Sequence, residues 1–223
     1  MVCVMHIKSY VIRQAHMSDS QRIHFEKTFP KYRIEYDNKR FDVSEYRAKF
    51  SRVVLEVGFG MGDATAEIAE NHPETFYIGV EVHKPGVGKL VRTLEEREIQ
   101  NVGIINHDAV DVLNTMVSSS SLDGIHIFFP DPWPKKRHHK RRLIQPAFVK
   151  TVAEKLKPGG YVYTVTDWDD YAIQMLNVLE NETLLHNQVE GFHPPIPWRP
   201  TTAFETKGIA KNHTIRELFF IRA

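Results

Sequence analysis

From Arg52 onward the apolar residues fall into two alternating kinds of run. RVVLEVG, FYIGVEV, VGIINH, GIHIFF and YVYTVTD are short, continuous and rich in β-branched and aromatic residues, as strands buried on both faces are. Between them lie stretches of helical period. DATAEIAEN follows the first run, and KPGVGKLVRTLEERE follows the second with Val87, Leu90, Val91 and Leu94 on one face. AVDVLNTMV follows the third. LIQPAFVKTVAEKLKPGG places Phe148, Val152 and Leu156 four residues apart, and Pro158-Gly159-Gly160 is expected to stop that helix. DDYAIQMLNVLEN is the next helix. TLLHNQV and TIRELFFIR read as a closing pair of strands, with a proline-rich loop, GFHPPIPWRPTTAFETKGIAKNH, between them. Strands alternating with helices predict one doubly wound α/β domain over residues 51–223, around a mostly parallel seven-stranded sheet.

Residues 1–50 lack clean periodicity and read as an N-terminal arm. QRIHFEKTF predicts a short helix, and FPKYRIEYDNKRFD an irregular stretch with an extended piece. Two roles are open to the arm: a nucleic-acid contact or a packed extension.

Composition narrows the picture. The length allows one sizeable domain, and 42% hydrophobic with 26% charged residues argues against disorder. No apolar run approaches bilayer length, and MVCVMHIKSYVIRQAH lacks the apolar core of a signal peptide. The single Cys3 excludes an internal disulfide and a multi-cysteine zinc site, and the histidines show no ligand spacing. A cytoplasmic protein without structural metal is expected. The net charge of +1 is unevenly spread: residues 1–50 carry +4, residues 131–142 carry +5 and the remainder −8. A basic arm and a basic loop on an acidic body suit a nucleic-acid binder that also holds a cationic small molecule.

The basic loop continues a strand. In DGIHIFFPDPWPKKRHHKRR the prolines Pro130, Pro132 and Pro134 cannot extend a ladder, so the strand ends near Phe129. Asp131 then sits in a proline-bracketed turn, followed by Lys135, Lys136, Arg137, Lys140, Arg141 and Arg142. Loops leaving the carboxyl ends of strands are where open α/β sheets bind ligands. A carboxylate there, beside six cations, points to chemistry next to a polyanion; the plain alternative is a solvated charged turn.

The first strand runs into a second site. LEVGFGMG places Gly58, Gly60 and Gly62 where the backbone turns into a helix and approaches a ligand closely. The spacing is GxGxG rather than the GxGxxG of dinucleotide dehydrogenases, and Glu56 lies inside the strand. A buried acid disfavours a pyrophosphate and suits a cationic ligand. Glu81 ends the second strand, where ribose hydroxyls are gripped, and Asp108 follows the third, where an adenine amino group can be read. Singly each acid is an ordinary helix cap or surface charge; together they describe a site for S-adenosyl-L-methionine.

With LEVGFGMG, GVEVHKPGVG, HDAVDVL, FFPDPWPKKRHHKRR, TDW and RPTTAFE in view, the chain resembles the bacterial single-chain tRNA (guanine-N7-)-methyltransferases from about IKSYVIRQ to the last strand. The resemblance implies a Rossmann-like class I methyltransferase fold and methyl transfer from S-adenosyl-L-methionine to N7 of a guanosine in the tRNA variable loop. It implies cofactor contacts at Glu56, Glu81, Asp108 and Asp131, with Asp131 also catalytic. It implies substrate contacts at Lys135, Asp167, Thr202, Ala203, Phe204 and Glu205. The family often carries lysine where this chain has Ala203, so side-chain roles there fall to Thr202 and Glu205. The implied partner is tRNA, met by a monomer or homodimer with no obligate protein partner.

The residues themselves fit that chemistry. Asp167 and Glu205 are acceptors for the Watson–Crick edge of a guanine, and Trp133, Trp168 and Phe204 are candidates to stack on a displaced base. Lys135 to Arg142 would hold phosphates. One rival is a methyltransferase for another nucleobase, whose Asn/Asp-Pro-Pro-aromatic turn DPW resembles only loosely. The other is a non-catalytic RNA-binding subunit, whose mark would be degraded acids or glycines.

Overall fold

The computed structural model describes residues 8–11, 16–37, 39–41 and 43–223. Its centre is a seven-stranded sheet ordered β3-β2-β1-β4-β5-β7-β6. Strands β1 (Arg52–Val57), β2 (Thr75–Val80), β3 (Val102–Ile105), β4 (Leu122–Phe128) and β5 (Leu156–Thr166) run parallel. Strand β7 (Arg216–Arg222) inserts antiparallel between β5 and β6 (Leu185–Asn187). All residues of β2 and β3 are buried, which is why these strands read as continuous apolar runs rather than alternating ones.

Helices cover both faces. Helix α4 (Asp63–Asn71) follows β1, α5 (Lys84–Glu96) follows β2 and α6 (Ala109–Thr115) follows β3. On α5, Val87, Leu90, Val91 and Leu94 are all 0% exposed, as their spacing predicts; burying each is worth about 1.5–3 kcal/mol before entropy. Helix α7 (Pro146–Lys155) ends earlier than Pro158-Gly159-Gly160 predicts. Leu156 already pairs with Leu122, so the Pro-Gly-Gly segment lies within β5, where the register shifts between Leu122 and Gly124. Helix α8 (Asp169–Glu180) follows β5. The stretch read as a proline-rich loop also holds α9 (Ala203–Ile209), whose two large apolar residues, Phe204 and Ile209, are exposed and so hide it from a periodicity argument.

The described part of the arm packs on this frame. Helix α1 (Asp19–Lys27) is closed by a capping box in which Ser18 and Gln21 reciprocate. The short turns α2 (Phe29–Tyr32) and α3 (Ser44–Arg47) follow, with Phe29, Tyr32 and Val43 buried. Arg33 bridges to Ile104 on β3, and Arg47 pairs with Asp123 at 2.7 Å beside the start of β4. Packing is thus what the structure records for these residues; Met1–Ile7 and residues 12–15 lie outside the described ones. No helix among the described residues is long and apolar enough to cross a membrane.

Candidate active site

The strand order reverses between β1 and β4, and the loops leaving β1 to β4 open on one cavity of about 960 Å³. It brings together Glu56, Gly58, Gly60, Gly62, Glu81, Asp108 and Asp131 with Thr202, Ala203 and Phe204 at the N-terminal end of α9. Lys135, Asp167 and Glu205 are not among its lining residues.

Within the glycine turn the three glycines divide by task. Gly58 (φ +72°) and Gly60 (φ +60°) adopt left-handed backbone, and a Cβ at either would meet nothing within 4 Å, so they present bare main chain to open space. At Gly62 a Cβ would lie 2.6 Å from that of Leu90; this residue lets α4 close on α5.

Each acid is held differently. Glu56 is 3% exposed, and its Oε2 has no hydrogen-bond partner among the described residues. Burial pushes its pKa up to about 7; the nearby Thr65 hydroxyl offsets part of this and the charge on Glu81 adds to it. Such an orphaned acid beside open main chain fits a ligand that brings a cationic or N–H group. Glu81 accepts from Gly60 N at 2.8 Å with one oxygen and from Val82 N and His83 N, at 2.7 and 2.8 Å, with the other. It therefore ties the β1 and β2 loops together; burial raises its pKa against the pull of those three N–H groups. Asp108 N-caps α6, accepting from Val110 N at 2.9 Å. Tyr10, which also lines the cavity and was not foreseen, lies beside Asp108; burial first and that carboxylate next push the tyrosine up to about 12. A buried acid at Glu56 with an unpartnered oxygen, beside the open main chain of Gly58 and Gly60, fits a cationic ligand such as S-adenosyl-L-methionine.

Asp131 projects from a tense turn. Phe129 (φ +49°) and Trp133 (φ +45°), two residues to either side, are both left-handed, which costs a non-glycine residue about 1–2 kcal/mol. The turn is held at three points. Phe129 N donates to Val165 O at 2.8 Å, Trp133 Nε1 to Ser9 O at 2.8 Å, and Arg142 Nε to Pro132 O at 2.8 Å.

That last contact corrects the expectation for Arg142. It is 2% exposed, and its other donors go to Gln174 at 2.7 Å and Asp170 at 2.5 Å while its guanidinium covers the Tyr171 ring. A side chain so enclosed supports the turn and is not open to a phosphate. Lys135, Lys136, Arg137 and Lys140 are exposed, the last three on a 3₁₀ segment (Lys136–Arg141). Arg141 stacks over Trp133 with 4.3 Å to the ring centroid, so one face of that indole is already taken. Trp168 packs against the core. Of the three stacking candidates Phe204 is the open one, 60% exposed and lining the cavity. Asp167 meets His213 Nδ1 at 3.1 Å and lies against α9, where a Cβ on Gly208 would come within 2.8 Å of its Oδ2. Glu205 pairs with Arg199 at 2.5 Å, a residue that the sequence reading missed because a lone arginine in a proline-rich stretch carries no spacing signal.

Comparison with known proteins agrees with this geometry. A family model described as "Putative methyltransferase" matches residues 51–218. The tRNA (guanine-N(7)-)-methyltransferase of Chromobacterium violaceum is 48% identical over 216 residues, 97% of this chain and 96% of that protein. Its namesake from Nitrosospira multiformis is 47% identical over 96% of this chain and 93% of its own. Among solved structures, the 16S rRNA methyltransferase KamB aligns over 83% of this chain and 96% of its own with a TM-score of 0.59; at 14% identity it shares the fold. Nearly half identical along almost its whole length to proteins of one name, the chain belongs to the tRNA (guanine-N7-)-methyltransferase family.

Proposed function

We propose that this enzyme transfers the methyl group of S-adenosyl-L-methionine to N7 of a guanosine in the tRNA variable loop, giving 7-methylguanosine. One observation carries the reading: Glu56, Glu81 and Asp108, at the ends of three adjacent parallel strands, share a single cavity with Asp131 and the N-terminal end of α9 at residues 202–204. The named relatives support the reaction and its substrate.

When bound, the cofactor supplies an electrophilic methyl on a positively charged sulfur. The residues of the chain do the rest. Gly58 and Gly60 admit it to the main chain, while Glu56, Glu81 and Asp108 take its amino, ribose and adenine ends. Asp167 and Glu205 accept from the N–H groups of the guanine edge, and Phe204 stacks on the ring. Exposed Lys135, Lys136, Arg137 and Lys140 hold phosphates and set the register of the RNA. Guanine N7 has a free lone pair at neutral pH, so no proton has to leave before attack. Asp131 therefore works as an acceptor that aligns the reactants and faces the positive charge passing to the purine, and the barrier depends chiefly on distance and alignment. We place this activity in the cytoplasm, carried by a monomer or homodimer.

Incubation with labelled S-adenosyl-L-methionine and unmodified tRNA, followed by chemical cleavage at 7-methylguanosine, tests the reading. Label at one variable-loop guanosine is expected; label at another atom or base would refute it.

A further inference from the structure

Arg199 lies in the connection between β6 and α9, yet its side chain is only 4% exposed. All five of its N–H donors are used. Nε donates to the Tyr163 hydroxyl at 2.9 Å, Nη1 to Glu205 Oε2 at 2.5 Å and to Pro200 O at 3.2 Å, and Nη2 to Glu205 Oε1 at 3.2 Å and Glu217 Oε1 at 2.6 Å. Glu217, 2% exposed on β7, accepts in turn from the Tyr163 hydroxyl and from Ile196 N at 3.1 Å. A guanidinium so saturated has no donor left for RNA.

The cluster does more than fill a loop. TAFE has the spacing of a capping box, and half of one forms: Thr202 Oγ1 accepts from Glu205 N at 3.1 Å. The Glu205 carboxylate, which a capping box would turn back to the main chain, is drawn to Arg199 instead. Burial works against the charge on Arg199, and Glu205 and Glu217 more than offset it. One cation facing two carboxylates leaves an excess negative charge, with Glu205, 12% exposed, nearer the solvent than Glu217. Glycosidic orientation aside, the donors of a guanine edge and the cationic ring of its N7-methylated form are what such a charge favours.

We propose that Arg199 is a positioning residue for methyl transfer: it ties Glu205 to the sheet through Glu217 and Tyr163, and so presents it to the target base as an aimed, ionised acceptor. This deepens the reading above and rests on it, in that Glu205 is taken to meet the guanine.

Arg199→Met alone strands two buried carboxylates, so the informative variant is Arg199→Met/Glu217→Gln, in which the amide oxygen still accepts from Tyr163. The double variant is expected to bind S-adenosyl-L-methionine like the wild type and to methylate tRNA about 10²-fold more slowly in single turnover. Glu205→Gln should cost a similar factor alone and almost nothing further in the double variant, because the two changes remove one function. Arg199→Lys, which keeps the charge without the five-donor fork, carries the same comparison should the double variant fail to bind cofactor. A wild-type rate in either variant, or a Glu205→Gln penalty that multiplies in full, would overturn the assignment. Absence of 7-methylguanosine with the wild-type enzyme would instead refute the function on which it rests.

Discussion

Arg142 donates its Nε–H to the carbonyl of Pro132 across 2.8 Å, so a residue of the basic run braces the turn that carries Asp131. Its charge is directed inward to Asp170 rather than outward to a polyanion. Arg142→Ala should therefore cost about 2–4 kcal/mol of stability, through the lost packing on Tyr171 and the unmet Pro132 and Gln174 groups. Denaturant titration reads that loss, and tRNA binding by the folded fraction should keep its wild-type salt dependence. A stable variant with a shallower salt dependence would return Arg142 to the phosphate contacts.

The outward-facing cations should behave in the opposite way. Replacing Lys136, Arg137 and Lys140 together by glutamine should weaken tRNA binding and make the logarithmic salt slope shallower by roughly 2–3, while cofactor affinity holds. Calorimetry at a series of salt concentrations measures both, and an unchanged slope would mark these residues as an ordinary solvated surface.

Much of this was legible beforehand, for reasons that differ by residue. The strands and α5 announced themselves because burial on a face imposes a period. That Glu56, Glu81 and Asp108 would share one cavity was legible because each lies at or just past the carboxyl end of one of three adjacent parallel strands. Arg142 was not, since charge type and spacing say nothing of whether a side chain points out or in. Nor was the hold of Glu81 on Gly60 N: through it Glu81→Ala should loosen the glycine turn, so that cofactor affinity and local order fall together. Helix α9 and Arg199 escaped because their partners, Asp167 on one side and Tyr163 and Glu217 on the other, are far away in sequence.

Glu56 predicts a pH dependence for the ligand-free protein. Its folded pKa, pushed up to about 7 by burial, lies above the ordinary value. Its contribution to stability is thus fully present at acidic pH and is lost as the pH rises through about 7. Between about pH 4.5 and 8 the wild type should lose on the order of 3 kcal/mol that Glu56→Gln does not. Parallel stability curves for the two proteins would show that the carboxyl is already solvated.

Asp131 should show no such dependence in the reaction. With cofactor saturating, the single-turnover rate should be flat from roughly pH 6 to 8, since alignment rather than proton removal sets the barrier. Asp131→Asn, which keeps an acceptor oxygen, should retain about tenfold more activity than Asp131→Ala. A rate climbing tenfold per pH unit through neutrality would establish a base and end the positioning role.

Strand β7 is reached last along the sequence but lies inside the sheet, between β5 and β6. On a ribosome extending at about 5–20 residues per second, the half of the sheet from β1 to β4 is translated well before residues 216–222. The segment leading into α9 must wait: Glu217 arrives on β7, and without it Arg199 lacks its anchor to the sheet. Until then the backbone of Tyr161–Thr166 on β5 stands unpaired along one side, the kind of open edge that recruits other strands. A nascent chain stalled short of β7 would accordingly be an early client for chaperones, with the strands β1 to β4 assembled and the Arg199–Glu217 cluster still unmade.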